Sequence, residues 1–185
     1  MSKKTAIIYK SETGFTEKYA RMIAEETGAD IFDFKGCPKK RLAALPSEYD
    51  RIIFGSRFHA GAVDGLKKAI SLFYGKGRGE FIVFATGAMP SGTEEMKETL
   101  EQSWKNNFTA EQLEKIPHFY FQAGLCYEKM SAMDRFMMKC FCKMLKNKKD
   151  KTPADIETEK AVEKSFDISS REFIKPLTDY LLKNR

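Results

Sequence analysis

The sequence predicts an α/β fold, a doubly wound parallel sheet with helices on both faces. Short apolar runs of β type alternate along the chain with segments in which apolar residues recur at helical spacing. Three of the runs are apolar on both sides, which is typical of central strands in a parallel sheet that helices cover. The 185 residues suffice for a hydrophobic core, and no linker or internal repeat divides them. We therefore expect residues 1–185 to form a single domain.

Five β-type runs are expected to supply the strands. In chain order they are Thr5–Tyr9, Asp30–Phe34, Arg51–Gly55, Phe81–Ala85 and Phe119–Gln122. The first, third and fourth are the runs that are apolar on both sides, so these are predicted at the centre of the sheet. Because parallel strands need long connections, the helical segments between them are predicted to form right-handed crossovers.

The helices are predicted from apolar spacing and from capping residues. A helix follows the first strand directly, and apolar spacing predicts two more over Val63–Phe73 and Thr93–Trp104. Capping boxes predict a short helix that begins at Thr109 and a last helix that begins at Ser169. Pro176 falls inside that last helix and is expected to kink it.

The basic residues are concentrated in one segment. Lys129–Lys151 carries eight basic and two acidic residues, so it accounts for the whole net charge of +6. Within residues 124–158 we expect a basic helical insertion over 131–149 and a mobile, polar loop over Lys146–Thr158. The helix carries an apolar stripe of Met133, Phe136, Met137, Cys140, Phe141, Met144 and Leu145. Burial of this stripe on the sheet is the interpretation that we favour, and peripheral contact of 131–149 with an anionic membrane is the alternative.

Composition argues against several other classes of function. The chain has 2 histidines and 4 cysteines with no C-x-x-C pair, so no metal site is expected. Cys140 and Cys142 point away from each other on a helix, which makes a disulfide between them improbable. The lysines lack interleaved stacking aromatics, so no nucleic-acid partner is expected. With no apolar run of membrane-spanning length and no signal-peptide pattern, the expected location is cytoplasmic, with the inner face of the membrane as a peripheral alternative.

Three polar loops follow the first, third and fourth predicted strands, at the edge where doubly wound sheets bind ligands. The first loop opens a helix, so its N–H groups and hydroxyls predict a phosphate site, and the patterns typical of ATP and NAD loops are absent. No side chain there is convincing as an acid or base, so catalytic residues stay unassigned. The candidate cofactor-binding residues are Ser11, Glu12, Thr13, Gly14, Phe15 and Thr16 in the first loop, Ser56, Arg57, Phe58, His59, Ala60 and Gly61 in the second loop, and Thr86, Gly87, Ala88 and Met89 in the third loop.

The first loop carries a resemblance to a known family. The pattern Ser11-x-Thr13-Gly14-x-Thr16 after a first strand resembles the phosphate loop of flavodoxins. This resemblance implies five strands in the order 2-1-3-4-5 and FMN as the cofactor. It implies that the first loop binds the phosphate and that Phe58 or His59 lies against the flavin. The peptides of the third loop would meet the other edge of the ring.

The second half of the chain narrows the resemblance. It is similar to the flavodoxin-like, menaquinone-dependent protoporphyrinogen dehydrogenases in two stretches, Gly124-Leu125-Cys126-Tyr127 and Met133-Asp134-Arg135-Phe136-Met137-Met138-Lys139. The similarity is strongest over 5–16, 49–61 and 124–145, and it departs at Thr86–Gly92 and just before the second stretch. It implies an oxidoreductase of haem biosynthesis that oxidises protoporphyrinogen IX, with a quinone as redox partner and the lysines of 131–149 attracting the propionates. The alternatives are a plain one-electron carrier and a cofactor-free protein-interaction module of the same fold.

Overall fold

A parallel sheet whose strand order differs from the chain order organises the larger of two units. The structure, a computed structural model, describes residues 3–77, 79–90 and 94–184. The first unit extends to Ala123 and resumes at Ser169, and the second unit is Gly124–Ile168. The strands are β1 (Thr5–Tyr9), β2 (Asp30–Asp33), β3 (Arg51–His59), β4 (Ala62–Val63), β5 (Glu80–Gly87), β6 (His118–Gln122), β7 (Gly124–Leu125) and β8 (Phe166–Asp167).

The strand order in the first unit confirms the predicted doubly wound topology. Its parallel strands lie in the order β2-β1-β3-β5-β6, and β4 is a two-residue strand that pairs antiparallel with β3. With β4 set aside, this is the predicted order 2-1-3-4-5. The strand order changes direction between β1 and β3, and the loops after the parallel strands β1, β3 and β5 share one edge of the sheet.

Helices cover both faces of this sheet. The helices are α1 (Phe15–Thr27), α2 (Lys39–Glu48), α3 (Leu66–Phe73), α4 (Glu94–Asn107), α5 (Ala110–Lys115), α6 (Ala132–Asn147), α7 (Pro153–Ala161) and α8 (Lys175–Lys183). One core cluster joins the sheet to residues of α2, α3 and α4, such as Leu42, Phe73 and Trp104. The other joins it to α1 and α8 through residues such as Tyr19 and Leu177. All the side chains named here are buried.

Several predicted boundaries in the first unit need correction. α3 begins at Leu66 and not at Val63, because Val63 pairs with Phe58 in the β3–β4 ladder. α2 was not predicted from the sequence. Ser170, and not Ser169, caps a 3-10 turn ahead of α8, which begins at Lys175. Pro176 therefore lies in the first turn of α8, where a missing N–H leaves no bond unmade, so the predicted kink is wrong.

Two further predictions concern the starts of α5 and α4. The capping box of Thr109 and Gln112 is confirmed at the start of α5. The predicted start of the preceding helix, Thr93, lies outside the described residues, and α4 continues three residues beyond Trp104 to Asn107.

The second unit contains two helices and a two-stranded antiparallel ladder of β7 and β8. α6 confirms the helix predicted within 131–149, and Ser131 caps it by accepting a hydrogen bond from the Asp134 N–H at 3.1 Å. The predicted mobile loop over Lys146–Thr158 is wrong, because α7 occupies much of it. A capping box of Thr152 and Asp155 starts this helix, and Lys148 Nζ lies 2.6 Å from Asp155 Oδ2.

The apolar stripe of α6 is only partly buried. Leu145 is 5% exposed, whereas Met133, Phe136 and Met144 are 66%, 63% and 60% exposed. The expectation that the whole stripe packs against other residues is therefore wrong for its outer part. Within the described part of the chain, no helix has the length and apolarity needed to cross a membrane.

Candidate functional site

The first loop joins β1 to α1 through a glycine in a left-handed conformation. Gly14 has φ of +97°, a region that residues with a Cβ rarely adopt, and its N–H donates to Ser11 Oγ at 3.1 Å. The first bond of the helix ladder runs from Lys18 N–H to the Gly14 carbonyl at 2.9 Å. The N–H groups of Phe15, Thr16 and Glu17 therefore precede the ladder and point out of the helix start. This end of α1 is suited to an anion.

A buried pair of hydroxyls connects the first loop to the third. Thr16 Oγ1 and Thr86 Oγ1 lie 2.8 Å apart, and both residues are 2% exposed. Thr86 is the penultimate residue of β5, so this bond fixes the start of α1 against the end of a central strand. The two loops are thus held side by side at the carboxyl edge of the sheet.

The second loop is a tight hairpin between β3 and β4. His59 pairs with Ala62, which leaves Ala60 and Gly61 as a two-residue turn with φ of +49° and +79°. Positive φ at both central residues matches the turn type that suits the twist of a hairpin. At Ala60 this conformation costs about 1–2 kcal/mol because the residue has a Cβ. Asn107 braces the turn, since its Nδ2 donates to the Gly61 carbonyl at 2.8 Å and its Oδ1 accepts from the Val63 N–H at 2.8 Å.

A cavity of about 210 Å³ lies between the second and third loops. It is smaller than the pockets that enclose a whole cofactor, so it suits the insertion of part of a flat ligand. The ring of Phe58 packs edge-on against Trp104, with the centroids 4.8 Å apart. The cavity is lined by Phe58, Ala60, Gly61, Gly87, Ala88, Met89, Leu100, Ser103 and Tyr120.

Tyr120 orders the third loop from the neighbouring strand β6. Its hydroxyl donates to the Met89 carbonyl at 2.8 Å. Burial raises the pKa of Tyr120 above its ordinary value, so the phenol stays protonated and keeps donating. A Cβ at Gly87 would lie 2.8 Å from the Tyr120 hydroxyl, closer than such contacts occur. Gly87 therefore leaves the room that the tyrosine needs beside the cavity.

Positive side chains surround one carboxylate behind the second loop. Asp64 Oδ2 lies 2.9 Å from Arg57 Nε and 3.7 Å from Lys10 Nζ. His59 Nδ1 lies 3.8 Å from the other carboxylate oxygen. Asp64 therefore lies between the positive side chains of Arg57 and Lys10. In the first loop, Glu12 forms an ion pair with Lys35.

The family of the chain follows from a match over most of its length. A family model described as "Flavodoxin domain" matches residues 6–152. The chain belongs to the flavodoxin domain family. The predicted fold class and the predicted cofactor are thereby confirmed, since this is a flavodoxin-like, FMN-binding domain. The match does not single out the protoporphyrinogen dehydrogenases, and no curated protein matches the sequence.

Solved structures with a similar fold include proteins of different lengths. The flavodiiron core of Flv1 from Synechocystis sp. PCC6803 has 16% identity to this chain and a TM-score of 0.44. The matched region covers 64% of this chain and 30% of the Flv1 core. The flavodoxin, WrbA-like protein from Agrobacterium tumefaciens has 18% identity and a TM-score of 0.42, covering 87% and 96%. A flavoprotein in complex with FMN from Lactobacillus acidophilus NCFM has 17% identity and a TM-score of 0.36, covering 65% and 93%. The chain thus spans less than a third of the Flv1 core.

The flavodoxin domain brings most of the predicted site residues to one edge. Ser11–Gly14 lead into α1, which begins at Phe15, and six residues of the other two loops line the cavity. Three of the remaining predicted residues contact other parts of the first unit. Ser56 is buried, with its hydroxyl 3.4 Å from the Lys10 carbonyl, and the half-buried Phe15 packs against the α1–α8 core. Arg57 turns towards Asp64. The individual roles of all sixteen residues stay predictions.

Several residues of this site were not predicted. Leu100, Ser103 and Tyr120 line the cavity. Asn107 forms hydrogen bonds to the hairpin, and Asp64 forms ion pairs with the positive side chains. Tyr120 lies within a predicted strand next to the strand that leads into the third loop, which is a signal that could have identified it. The helix residues carry no such signal, because only the packing of α4 brings them to the hairpin.

The residues present fit FMN. A phosphate needs N–H donors and hydroxyls with no Cβ in the way, and the helix start after Gly14 provides them. A flat ring needs an apolar and aromatic slot, and the cavity beside Phe58 and Tyr120 provides one.

Proposed function

We propose that this flavodoxin domain is an FMN-dependent redox protein that binds the phosphate at the first loop and the flavin ring at the cavity. The hydroxyl pair of Thr16 and Thr86 carries the proposal, because it joins the anion-binding helix start to the strand that leads into the cavity. A ligand with a phosphate at one end and a flat ring at the other suits this arrangement.

The chain's own groups have distinct tasks in this proposal. The outward N–H groups and the hydroxyls of Ser11 and Thr13 bind the phosphate, with no lysine or arginine in the loop. Phe58 offers an aromatic wall that Trp104 holds in place. Tyr120 fixes the Met89 peptide, so the third loop presents a constant edge to the ring. When bound, FMN supplies one- and two-electron redox chemistry, which the protein tunes through access and charge.

The cluster around Asp64 is the tuning element that we propose. Its positive side chains, Lys10 and Arg57, lie behind the second loop, where positive charge stabilises negative charge at the site and the Asp64 carboxylate opposes that effect. Because reduction adds negative charge to a flavin, the positive side chains of this cluster favour the reduced form over the oxidised form.

Within this class, we propose the oxidation of protoporphyrinogen IX with a quinone as acceptor. The substrate loses six electrons and six protons, and three quinones each take up two electrons and two protons to become quinols. Support comes from the resemblance of residues 124–127 and 133–139, and from positive side chains that complement the propionates. Among the described residues, Arg135, Lys139 and Lys143 make no ion pair.

Reconstitution tests the flavin function before any substrate. The purified chain is incubated with FMN, freed of excess flavin by gel filtration and examined by absorption. We expect one flavin per chain and loss of its colour on reduction. A preparation that stays colourless would refute the FMN proposal and favour a protein-interaction module.

Turnover then separates the substrate proposals. The reduced holoprotein is mixed with a menaquinone analogue, and the oxidised holoprotein with protoporphyrinogen IX. We expect quinone reduction and formation of the porphyrin, which is followed by its fluorescence. Quinone reduction without porphyrin formation would contradict the substrate, and electron exchange with neither compound would favour a plain carrier.

A further inference from the structure

Helix α6 of the second unit has three faces of different character. Leu145 is buried, and Met138 and Phe141 are half-buried at helical spacing from it, so these residues form its inner face. Arg135, Lys139 and Lys143 are exposed and recur every four residues, which gives a basic face. The remaining face is apolar and exposed. Its members are Met133, Phe136, Met137, Cys140 and Met144.

The basic residues of this region divide into two groups by their partners. Lys146, Lys148 and Lys151 lie 3.3, 2.6 and 2.6 Å from Glu163, Asp155 and Glu159, so they serve the packing of the second unit. Arg135, Lys139 and Lys143 make no ion pair with any described residue. Their charge is therefore available to an outside partner, and it adjoins the exposed apolar face.

An exposed apolar face of this kind is unusual on a water-soluble helix. The large exposed side chains of this face are Phe136 and three methionines. Methionine side chains adapt to irregular and fluid surroundings. A helix that combines such a face with lysine and arginine lies in the interface of an anionic membrane, its apolar side among the acyl chains and its cations at the headgroups. α6 has 16 residues, too few to span a bilayer.

We propose that α6 docks the protein on the surface of an anionic lipid bilayer. The inner face keeps the helix attached to its unit, the apolar face enters the interface, and Arg135, Lys139 and Lys143 bind acidic headgroups. The charge complementarity of these three side chains decides for an anionic bilayer over a neutral one. This inference goes beyond the flavin chemistry, and it holds with or without FMN at the site.

Vesicle flotation of the full chain tests the proposal. One set of vesicles is phosphatidylcholine alone, and the other is phosphatidylcholine mixed with phosphatidylglycerol. We expect the chain to float with the mixed vesicles only, and less so at high salt. The variant R135Q/K139Q/K143Q should lower the partition coefficient about a hundredfold. The matched control K39Q/K40Q/K67Q removes three exposed charges from the first unit and should bind like the parent chain.

A second pair of variants tests the apolar face. M133S/F136S should lower the partition coefficient about tenfold or more, because it removes two exposed apolar side chains from the interface. Leu182→Ser is the control, since Leu182 is 51% exposed on α8. Unchanged far-ultraviolet circular dichroism shows that each variant is folded.

Several outcomes would overturn the proposal. They are no flotation of the parent chain with either vesicle, equal flotation with both, and flotation that R135Q/K139Q/K143Q leaves unchanged. A dimer in the absence of vesicles that M133S/F136S abolishes would assign the face to a second copy of the chain, and it would overturn the proposal as well. Because each readout is lipid binding or assembly, failure here leaves the FMN titration as a separate test.

Discussion

The buried hydroxyl pair between the first and third loops gives a sharp prediction about stability. Replacing either Thr16 or Thr86 by valine leaves the other hydroxyl buried without its partner, since the oxygens are 2.8 Å apart and both residues are 2% exposed. An unpaired buried hydroxyl costs about 1–3 kcal/mol, whereas removing both partners is nearly neutral. Each single variant should therefore lose about 1–2 kcal/mol, or about 3–6 °C in Tm, and the double variant much less than the sum.

Urea unfolding of the apoprotein is the assay for this pair. The chain has 1 tryptophan, Trp104, which is 5% exposed in the first unit, so its fluorescence reports the unfolding of that unit. We expect a coupling free energy of about 1 kcal/mol or more from the double-mutant cycle of T16V and T86V. Additive losses, with a double variant as unstable as the two singles together, would refute the reasoning. The matched control is Thr27→Val at the exposed end of α1, which should change little because water can replace the 2.7 Å bond from Thr27 Oγ1 to the Ile23 carbonyl.

Three further predictions concern the cavity, the charge cluster and the tyrosines. Gly87→Ala places a Cβ 2.8 Å from the Tyr120 hydroxyl, so FMN should bind about tenfold more weakly by fluorescence titration. Adding Tyr120→Phe removes the nearest of those atoms and should restore part of the loss, and a variant that binds normally would contradict the packing. Asp64→Asn removes the carboxylate that faces Arg57 and Lys10, so the flavin midpoint potential should rise by on the order of 10 mV or more, and a fall would contradict the sign. Burial, with hydrogen bonds to Asp30 and Glu80, raises the pKa of Tyr49 and of Tyr180 from 10.0 to about 12. The fold favours the neutral phenols, so stability is full below pH 10 and is lost as the pH rises towards 12, and urea midpoints that stay constant over this range would contradict it.

The fold was predictable wherever local pattern decides the structure. The five parallel strands were identified because their apolar runs and intervening helices carry a strong signal. The β3–β4 hairpin was missed because its turn is Ala60-Gly61, and alanine is not a typical residue at a positive φ. α7 was missed because its charged residues resemble a loop, although the capping box of Thr152 and Asp155 was present in the sequence.

The loop residues of the site could be predicted from the sequence, but the side chains that contact these loops from elsewhere could not. Strand order alone places the loops after β1, β3 and β5 at one edge, so Gly14, Phe58 and Gly87 could be selected without a structure. Asn107 and Asp64 contact the same loops through side chains whose directions depend on the packing of α4 and on the course of the β3–β4 hairpin. No spacing in the sequence encodes these contacts.

The balance of affinity between FMN and riboflavin tests the central claim most directly. The two ligands share the ring and differ in the phosphate, which the claim assigns to the N–H groups and hydroxyls after Gly14. Titration of the apoprotein, followed by quenching of flavin fluorescence, should show FMN bound at least about a hundredfold more tightly, because hydrogen bonds to a charged group contribute about 1.5–3 kcal/mol each. Gly14→Val should remove most of that difference. Equal binding of FMN and riboflavin to the parent chain would contradict the claim.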